Sequence, residues 1–196
     1  FDNLRHVLAS FGGFRWGPPL PERQTFLRRC RGIVHVGANT GQERDVYARL
    51  RLPVVWFEAL PDVFAILRSN IAAYPRQTAI HALLADRDGQ SRTFHVASNG
   101  GASSSMLDLK HHKDIWPGVT FTTSIEMESV TLDTALAASR IDLAGYNALV
   151  LDTQGSELLV LRGAAGLLRQ CDFVATEAAD FEAYEHCATV ASLTEF

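Results

Sequence analysis

Residues 33–41 have the sequence IVHVGANTG, in which a short apolar run, residues 33–36, ends at Gly37. A helical pattern follows over residues 42–52, and a second apolar run occupies residues 54–57. Apolar runs without polar alternation are typical of strands that are buried on both faces of a parallel sheet. A strand, a turn, a helix and a second strand form the repeating unit of α/β folds. This stretch therefore predicts an α/β domain whose first strand is residues 33–36.

The alternation of strands and helices continues along the rest of the chain. The predicted elements are helices over residues 61–73, 132–139 and 156–169 and strands over residues 78–85, 92–97, 121–131, 148–151 and 173–176. We therefore expect a Rossmann-like fold, with a mostly parallel, twisted sheet and helices on both faces. We predict one domain over residues 33–196, preceded over residues 1–32 by a lead-in or helical segment.

The composition is that of an ordinary globular domain. Hydrophobic residues make up 47% of the 196 residues, and the formal net charge is -4. A net negative charge does not indicate a nucleic-acid-binding protein. No apolar stretch of the sequence is long enough to span a membrane. Three cysteines without metal-ligand spacing indicate free thiols in a reducing compartment, so we expect a cytoplasmic protein.

Three of the predicted strands end in an acidic residue: Glu58, Asp152 and Glu177. In parallel sheets ligands bind beyond the carboxyl ends of the strands, so these acids are expected at one functional edge. Glu58 follows Gly37 by about 20 residues, a spacing at which a carboxylate can accept both ribose hydroxyls of a nucleoside. The alternative for Glu58 is a solvated acid near a helix start.

Residues 152–157, DTQGSE, place a second glycine between a strand and a helix. A strand-end carboxylate beside a ligand cleft is suited to proton transfer, so Asp152 is the first candidate for a general base. Glu177 is a further candidate at a strand end. Glu157 has a simpler interpretation as a charge that matches the helix macrodipole.

The polar stretch over residues 98–118 is longer than most loops in a domain of this size, and such loops often form lids. His112 is the second candidate for a base, and His111 lies beside it. Ser103–Ser105 can form hydrogen bonds to a polar ligand, and Trp116 can stack on a sugar. The alternative is an ordinary surface loop.

Together these motifs resemble the FkbM family of S-adenosylmethionine-dependent methyltransferases. The matching stretches are IVHVGANTGQE, WFEALPDVFAILRSN, VTLDTAL, LVLDTQGSELLVLRGAAGLL and FVATE, within residues 33–177. The resemblance implies that Gly37, Asn39 and Gly41 surround the methionine part of the cofactor and that Glu58 holds the ribose. The predicted contacts also include Ala38, Ala59, Asp86 near the adenine, Ser104 and Asp152.

The resemblance further implies methyl transfer to a hydroxyl group of a sugar, a glycan or another small-molecule natural product. Asp152, Glu177 and a loop histidine are possible metal ligands, but they are too far apart in the sequence to predict a metal site. Because the fold class has a final pair of strands that this sequence lacks, we expect that C-terminal strands are missing from this chain.

Two positions depart from the family pattern. His35 stands where the family usually has an acid, and Val150 stands where it often has a lysine. These departures keep open a catalytically silent, methyltransferase-like binding module. A nucleotide-binding oxidoreductase is a further alternative, although the G-x-G-x-x-G motif of that class is absent from the sequence.

Overall fold

Nine strands form two sheets in the computed structural model, which describes the backbone of residues 5–10 and all of residues 26–196. The strands are β1 (Arg5–Ser10), β2 (Ile33–Val36), β3 (Val54–Glu58), β4 (Gln77–His81), β5 (Leu83–Leu84), β6 (Gln90–Ala97), β7 (Phe121–Val130), β8 (Ala148–Leu151) and β9 (Phe173–Ala178). The main sheet has the order β1-β9-β8-β2-β3-β4, and all its neighbours are parallel.

Helices cover both faces of the main sheet. They are α1 (Arg44–Arg49), α2 (Pro61–Ile71), α3 (His112–Ile115), α4 (Leu132–Ser139), α5 (Glu157–Arg162), α6 (Ala165–Leu168) and α7 (Val190–Glu195), with 3-10 turns at Phe26–Arg29 and Leu143–Gly145. One face packs on α1 and α2, and the other packs on α4, α5 and α6. This arrangement confirms the predicted Rossmann-like α/β fold.

The edge of the main sheet next to β9 is formed by β1, which pairs with β9 in parallel. This strand, within the lead-in, is not among the predicted elements. Residues 11–25 of that segment lie outside the described residues. The division into a lead-in and a domain stays a prediction.

The part of the chain between β4 and α4 forms a second sheet, with the order β5-β7-β6. It corrects the single strand predicted over residues 78–85. The Ala82 N–H donates to the Glu58 carbonyl at 3.1 Å, and the chain then leaves the main sheet. β5 pairs with β7 instead, in parallel. An apolar run cannot reveal such a change of partner, because the apolar residues continue from β4 into β5.

The single helix predicted over residues 156–169 is also wrong, because the structure divides it into α5 and α6. Between them, a Cβ at Gly163 would lie 2.3 Å from the carbonyl oxygen of Ala85. The Gly163 carbonyl in turn accepts the Asp133 N–H at 3.0 Å. The Asp133 carboxylate accepts the N–H groups of Gly166 and Leu167 at the start of α6, at 2.6 and 3.0 Å. The break therefore serves a close backbone contact.

The register of the main sheet brings the strand-end acids to one level. Val36 pairs with Phe57 on one side and with Leu151 on the other, so Gly37 lies between Glu58 and Asp152. Leu151 pairs with Thr176, which sets Glu177 beside Asp152. The acids therefore gather at one edge.

Within the described residues, no helix is long and apolar enough to cross a membrane. The three cysteines are free thiols, with Cys171 and Cys187 buried and Cys30 half-buried.

We expect Gly37→Ala to destabilise the domain far more than Gly100→Ala. Both glycines have a positive φ, 78° and 69°, which costs an alanine about 1–2 kcal/mol. Only at position 37 would the Cβ also collide with backbone, 1.8 Å from the Asp152 oxygen; nothing lies within 4 Å at position 100. Urea unfolding measures the free energy of unfolding of both variants, and we expect Gly37→Ala to lose about 1–3 kcal/mol more than Gly100→Ala. Equal losses would contradict the contact.

Candidate active site

The turn after β2 lies against the backbone of both neighbouring strands. The N–H groups of Gly37 and Ala38 donate to the Phe57 carbonyl, each at 3.0 Å. A Cβ at position 37 would overlap the Asp152 carbonyl on the other side. Positive φ angles at Gly37 and Asn39 turn the chain toward α1. Backbone therefore lies exposed between the two acids, where a ligand can approach it closely.

Glu58 is a buried carboxylate that backbone donors hold in place. Its two oxygens accept the N–H groups of Asn39 and Leu60, both at 2.8 Å. Burial raises the pKa of Glu58 to about 7, and the backbone hydrogen bonds oppose that rise. The side chain is only 8% exposed, so it is not the solvated acid of the alternative interpretation. Each oxygen keeps a lone pair that can accept a ribose hydroxyl.

A first cavity, of about 60 Å³, lies between the glycine turn and the second sheet. Its polar side includes Glu58 and the predicted residues Gly37, Asn39, Ala59, Ser104 and Asp152. Its apolar side is formed by Ala82, Leu83, Leu84, Phe94 and Met106. An apolar wall beside a carboxylate is suited to the base and ribose of an adenosine.

A second cavity, of about 280 Å³, continues from the first along the ends of β2, β8 and β9. Both are lined by Gly37, Asn39, Ala102, Asp152 and Gln154. The predicted residues Ala38, His112 and Glu177 also line the second cavity, with Glu43, His35 and Trp116. Together the cavities lie at the lower end of the range of roughly 300–1,000 Å³ that is usual for ligand pockets. A cofactor held in the first can thus extend toward Asp152.

Asp152 and Glu177 lie side by side where β8 and β9 end. The Gln154 Nε2 donates to Asp152 Oδ1 at 2.7 Å and to Glu177 Oε2 at 3.2 Å. Burial, and then the charge of Asp152 and a hydrogen bond with its carboxyl, raise the pKa of Glu177. Two adjacent carboxylates repel each other, so Glu177 keeps its proton at neutral pH.

Gln154 and Tyr184 belong to this site, although the sequence analysis selected neither. The Tyr184 hydroxyl donates to Gln154 Oε1 at 2.8 Å. Gln154 lies within the DTQGSE motif, so that motif contained a signal for it. Tyr184 lies 30 residues further along the chain, with no motif around it. Glu43, whose pKa burial raises to about 7, was missed as well.

Glu157 closes the turn that carries Gln154. Its Oε1 accepts the N–H groups of Thr153 and Gly155, at 3.0 and 3.1 Å, and the side chain is 2% exposed. Burial raises the pKa of Glu157 against these hydrogen bonds. Its role is therefore more specific than a charge at a helix start.

His35 is a neutral side chain at the wall of the second cavity. It stacks on Trp56, with ring centroids 4.8 Å apart, and its Nδ1 lies 3.2 Å from the Tyr47 hydroxyl. Burial lowers the pKa of His35 to about 3. The imidazole therefore carries no charge in the folded protein.

The loop over residues 98–118 folds over this edge and contains α3. His112 is 3% exposed and packs between Trp116 and Tyr184, with centroids at 4.7 and 5.3 Å. Burial lowers the pKa of His112. The imidazole is thus neutral at neutral pH, the form in which a histidine can accept a proton.

Three residues considered from the sequence lie outside the cavity linings. Asp86 pairs with Arg92 at 3.2 Å, so Ala82–Leu84 border the first cavity in its place. Gly41 faces α2, where a Cβ would lie 2.7 Å from Leu67 Cδ1. His111 is exposed and hydrogen bonds to Asp114 at 2.9 Å. Within the described residues, no group of three side chains could hold a metal ion.

Comparison with known proteins identifies the family of this chain. The family model described as "Methyltransferase FkbM domain" matches residues 35–196. The search of curated proteins gave no match. The crystal structure of the glycopeptide N-methyltransferase MtfA with S-adenosylmethionine is similar over 42% of this chain and 38% of that one, at 23% identity and a TM-score of 0.28. The chain belongs to the FkbM family of methyltransferases, which confirms the predicted family and its S-adenosylmethionine cofactor.

Proposed function

We propose that this domain transfers a methyl group from S-adenosylmethionine to a hydroxyl oxygen of a sugar, a glycan or another small-molecule natural product. The observation that carries the proposal is the position of Asp152, which lines both cavities at the point where they meet. A carboxylate at this junction can touch an acceptor in the second cavity while the adenosine part of the cofactor lies at the first. The class of acceptor follows from the family resemblance.

The residues of the first cavity fit the cofactor. Glu58 faces the cavity with free lone pairs for the ribose, and the apolar wall from Ala82 to Leu84 suits the adenine. Gly37 and Asn39 leave the backbone accessible between the two cavities. When bound, the cofactor supplies an electrophilic methyl group on a sulfonium.

Asp152 would act on the acceptor as a general base. A hydroxyl group is poorly ionised at neutral pH, so removal of its proton makes the oxygen a better nucleophile. The Asp152 carboxylate would take that proton as the oxygen bonds to the methyl carbon and the carbon–sulfur bond breaks. Trp116, half-buried at the same cavity, offers a ring face for a sugar. Much of the rate enhancement would come from this alignment.

We expect the affinity for S-adenosylhomocysteine to fall as the pH is lowered from 8 to 6. A carboxyl with a pKa near 7 is about nine-tenths ionised at pH 8 and about one-tenth ionised at pH 6. The ionised form of Glu58 accepts the ribose hydroxyls better, so the affinity should change up to about tenfold. Calorimetric titrations across this range measure it.

Glu58→Gln should bind S-adenosylhomocysteine at least about tenfold more weakly at pH 8, because an amide cannot accept from both backbone donors. Its affinity should also lose most of the dependence on pH. Glu43→Gln is measured in parallel, since the pKa of Glu43 is also raised to about 7. Glu128→Gln, at an exposed position of β7, is the matched control. Unchanged binding by Glu58→Gln would disprove the ribose contact. No binding by the unaltered protein would disprove the cofactor site.

Asp152→Asn should lower the rate of methyl transfer by about 100- to 10,000-fold. S-adenosylhomocysteine affinity should stay within a few-fold, because the amide preserves the shape of the side chain. A mass-spectrometric screen with methyl-labelled S-adenosylmethionine and a panel of sugars and glycans first identifies an acceptor, whose kinetics are then compared. Asp114→Asn, at an exposed position of α3, is the control.

The alternatives give different results in the same experiments. A silent binding module would bind the cofactor and label no acceptor, whereas an oxidoreductase would bind a nicotinamide cofactor instead. Full activity of Asp152→Asn would show that another group removes the proton, and His112 would be tested next.

A further inference from the structure

Gln154 uses both amide N–H groups and its amide oxygen in hydrogen bonds inside the site. Its amide nitrogen has two protons, and its two acceptors are Asp152 Oδ1 at 2.7 Å and Glu177 Oε2 at 3.2 Å. Its amide oxygen accepts the Tyr184 hydroxyl at 2.8 Å. No other side chain in the described part of the chain donates to both carboxyls.

The contact with Tyr184 determines which way the amide points. A tyrosine hydroxyl has one proton, and the shorter of its two possible contacts is with Gln154 Oε1, at 2.8 Å against 3.2 Å for the Ser103 carbonyl. The reverse orientation would direct the amide oxygen at two carboxyls and the amide nitrogen at the hydroxyl. Tyr184 therefore keeps the N–H groups on the side of Asp152 and Glu177.

The backbone of Gln154 is constrained as well. Its φ of 55° is rare for a residue with a side chain, and its carbonyl accepts the Ser105 hydroxyl at 2.8 Å. Glu157 holds the N–H groups on either side of it, at Thr153 and Gly155. Such strain persists where the surrounding structure imposes it, and it is frequent at functional sites.

We propose that Gln154 is a positioning residue that holds the carboxyls of Asp152 and Glu177 together as a pair sharing one proton. The Glu177 carboxyl keeps that proton and donates it in a hydrogen bond to Asp152, and Gln154 donates to both. The free lone pairs of Asp152 then face the cavity and the acceptor hydroxyl. The effect on methyl transfer rests on the proposed function, whereas the pairing does not.

Burial and the neighbouring charge of Asp152 raise the pKa of Glu177, which agrees with a shared proton. Other titratable groups surround the pair and are all still present in Gln154→Met. They are Glu43 and Glu58, both of which sense the charge of Asp152, and Glu157, Tyr184, His35 and His112. Gln154 differs from all of them because it is a neutral donor to both carboxyls.

Hydrogen bonds to a carboxylate favour its ionised form. Loss of the two Gln154 donors should therefore raise the pH at which the pair gives up its proton. Gln154→Met removes the donors and keeps nearly the same length and shape. We expect the midpoint of the titration to rise by about one pH unit or more.

Infrared difference spectroscopy on the whole domain measures this midpoint without turnover, from the carbonyl band of the protonated carboxyl. Glu177→Gln removes the band and so assigns it. Tyr184→Phe should move the midpoint in the same direction by a smaller amount, because Gln154 stays but loses its fixed orientation. Gln170→Met, at an exposed position, is the matched control and should leave the midpoint unchanged.

The same variants separate this inference from the proposed function. The infrared midpoint needs neither cofactor nor acceptor, and the limb of the pH–rate profile that reports loss of the shared proton should move up with it. A midpoint that is the same in Gln154→Met, Tyr184→Phe and the unaltered protein would overturn the proposal. Absence of methyl transfer in the unaltered protein would instead count against the proposed function, and the infrared result would still decide the pairing.

Discussion

The backbone of Gly37 touches the backbone of Asp152, and this contact sets how closely the ends of β2 and β8 approach. A Cβ at position 37 would fall 1.8 Å from the Asp152 oxygen. Neighbouring strands lie about 4.8 Å apart, so Glu58 and Asp152, on either side of this glycine, have backbones about 10 Å apart. No side chain separates them. One ligand can therefore lie along exposed backbone with its ribose at one acid and its reacting group near the other.

The collection of acids at one edge has an electrostatic cost, because burial disfavours a charged carboxylate. The site meets this cost in two ways. Glu58 and Glu157 each accept two backbone N–H groups, which stabilises negative charge. Glu177 has no backbone donor of this kind among the described contacts and is stabilised by keeping its proton. Burial is the largest cause of the raised pKa in all three acids; backbone donors oppose the rise at Glu58 and Glu157, whereas the charge of Asp152 adds to it at Glu177.

The part of the site that the sequence predicts is the part that depends on strand order. Apolar runs locate the strands, a residue just after a strand lies at the carboxyl edge, and Glu58, Asp152 and Glu177 follow from that rule alone. Contacts that depend on packing between distant segments do not follow from it. The Ser105 hydroxyl meets the Gln154 carbonyl across 49 residues, and no local pattern indicates this pair.

The same reason explains the errors in the fold. The apolar run of residues 78–85 looks like one strand because its apolar residues continue from β4 into β5, although only the first half stays in the main sheet. Asp86 was expected near the adenine because it closely follows that run. Asp86 instead pairs with Arg92 on β6. This pairing depends on the second sheet, which the sequence did not predict. The local sequence shows which residues are apolar, but it does not show which strand a segment pairs with.

His35 shows how a departure from a family pattern can change the chemistry of a site without disturbing the fold. An acid at this position would bring another negative charge to a cavity that already contains Glu43, Asp152 and Glu177. The imidazole instead stacks on Trp56 and stays neutral, with its pKa lowered to about 3. It can exchange hydrogen bonds with a ligand, but it cannot neutralise an ammonium group.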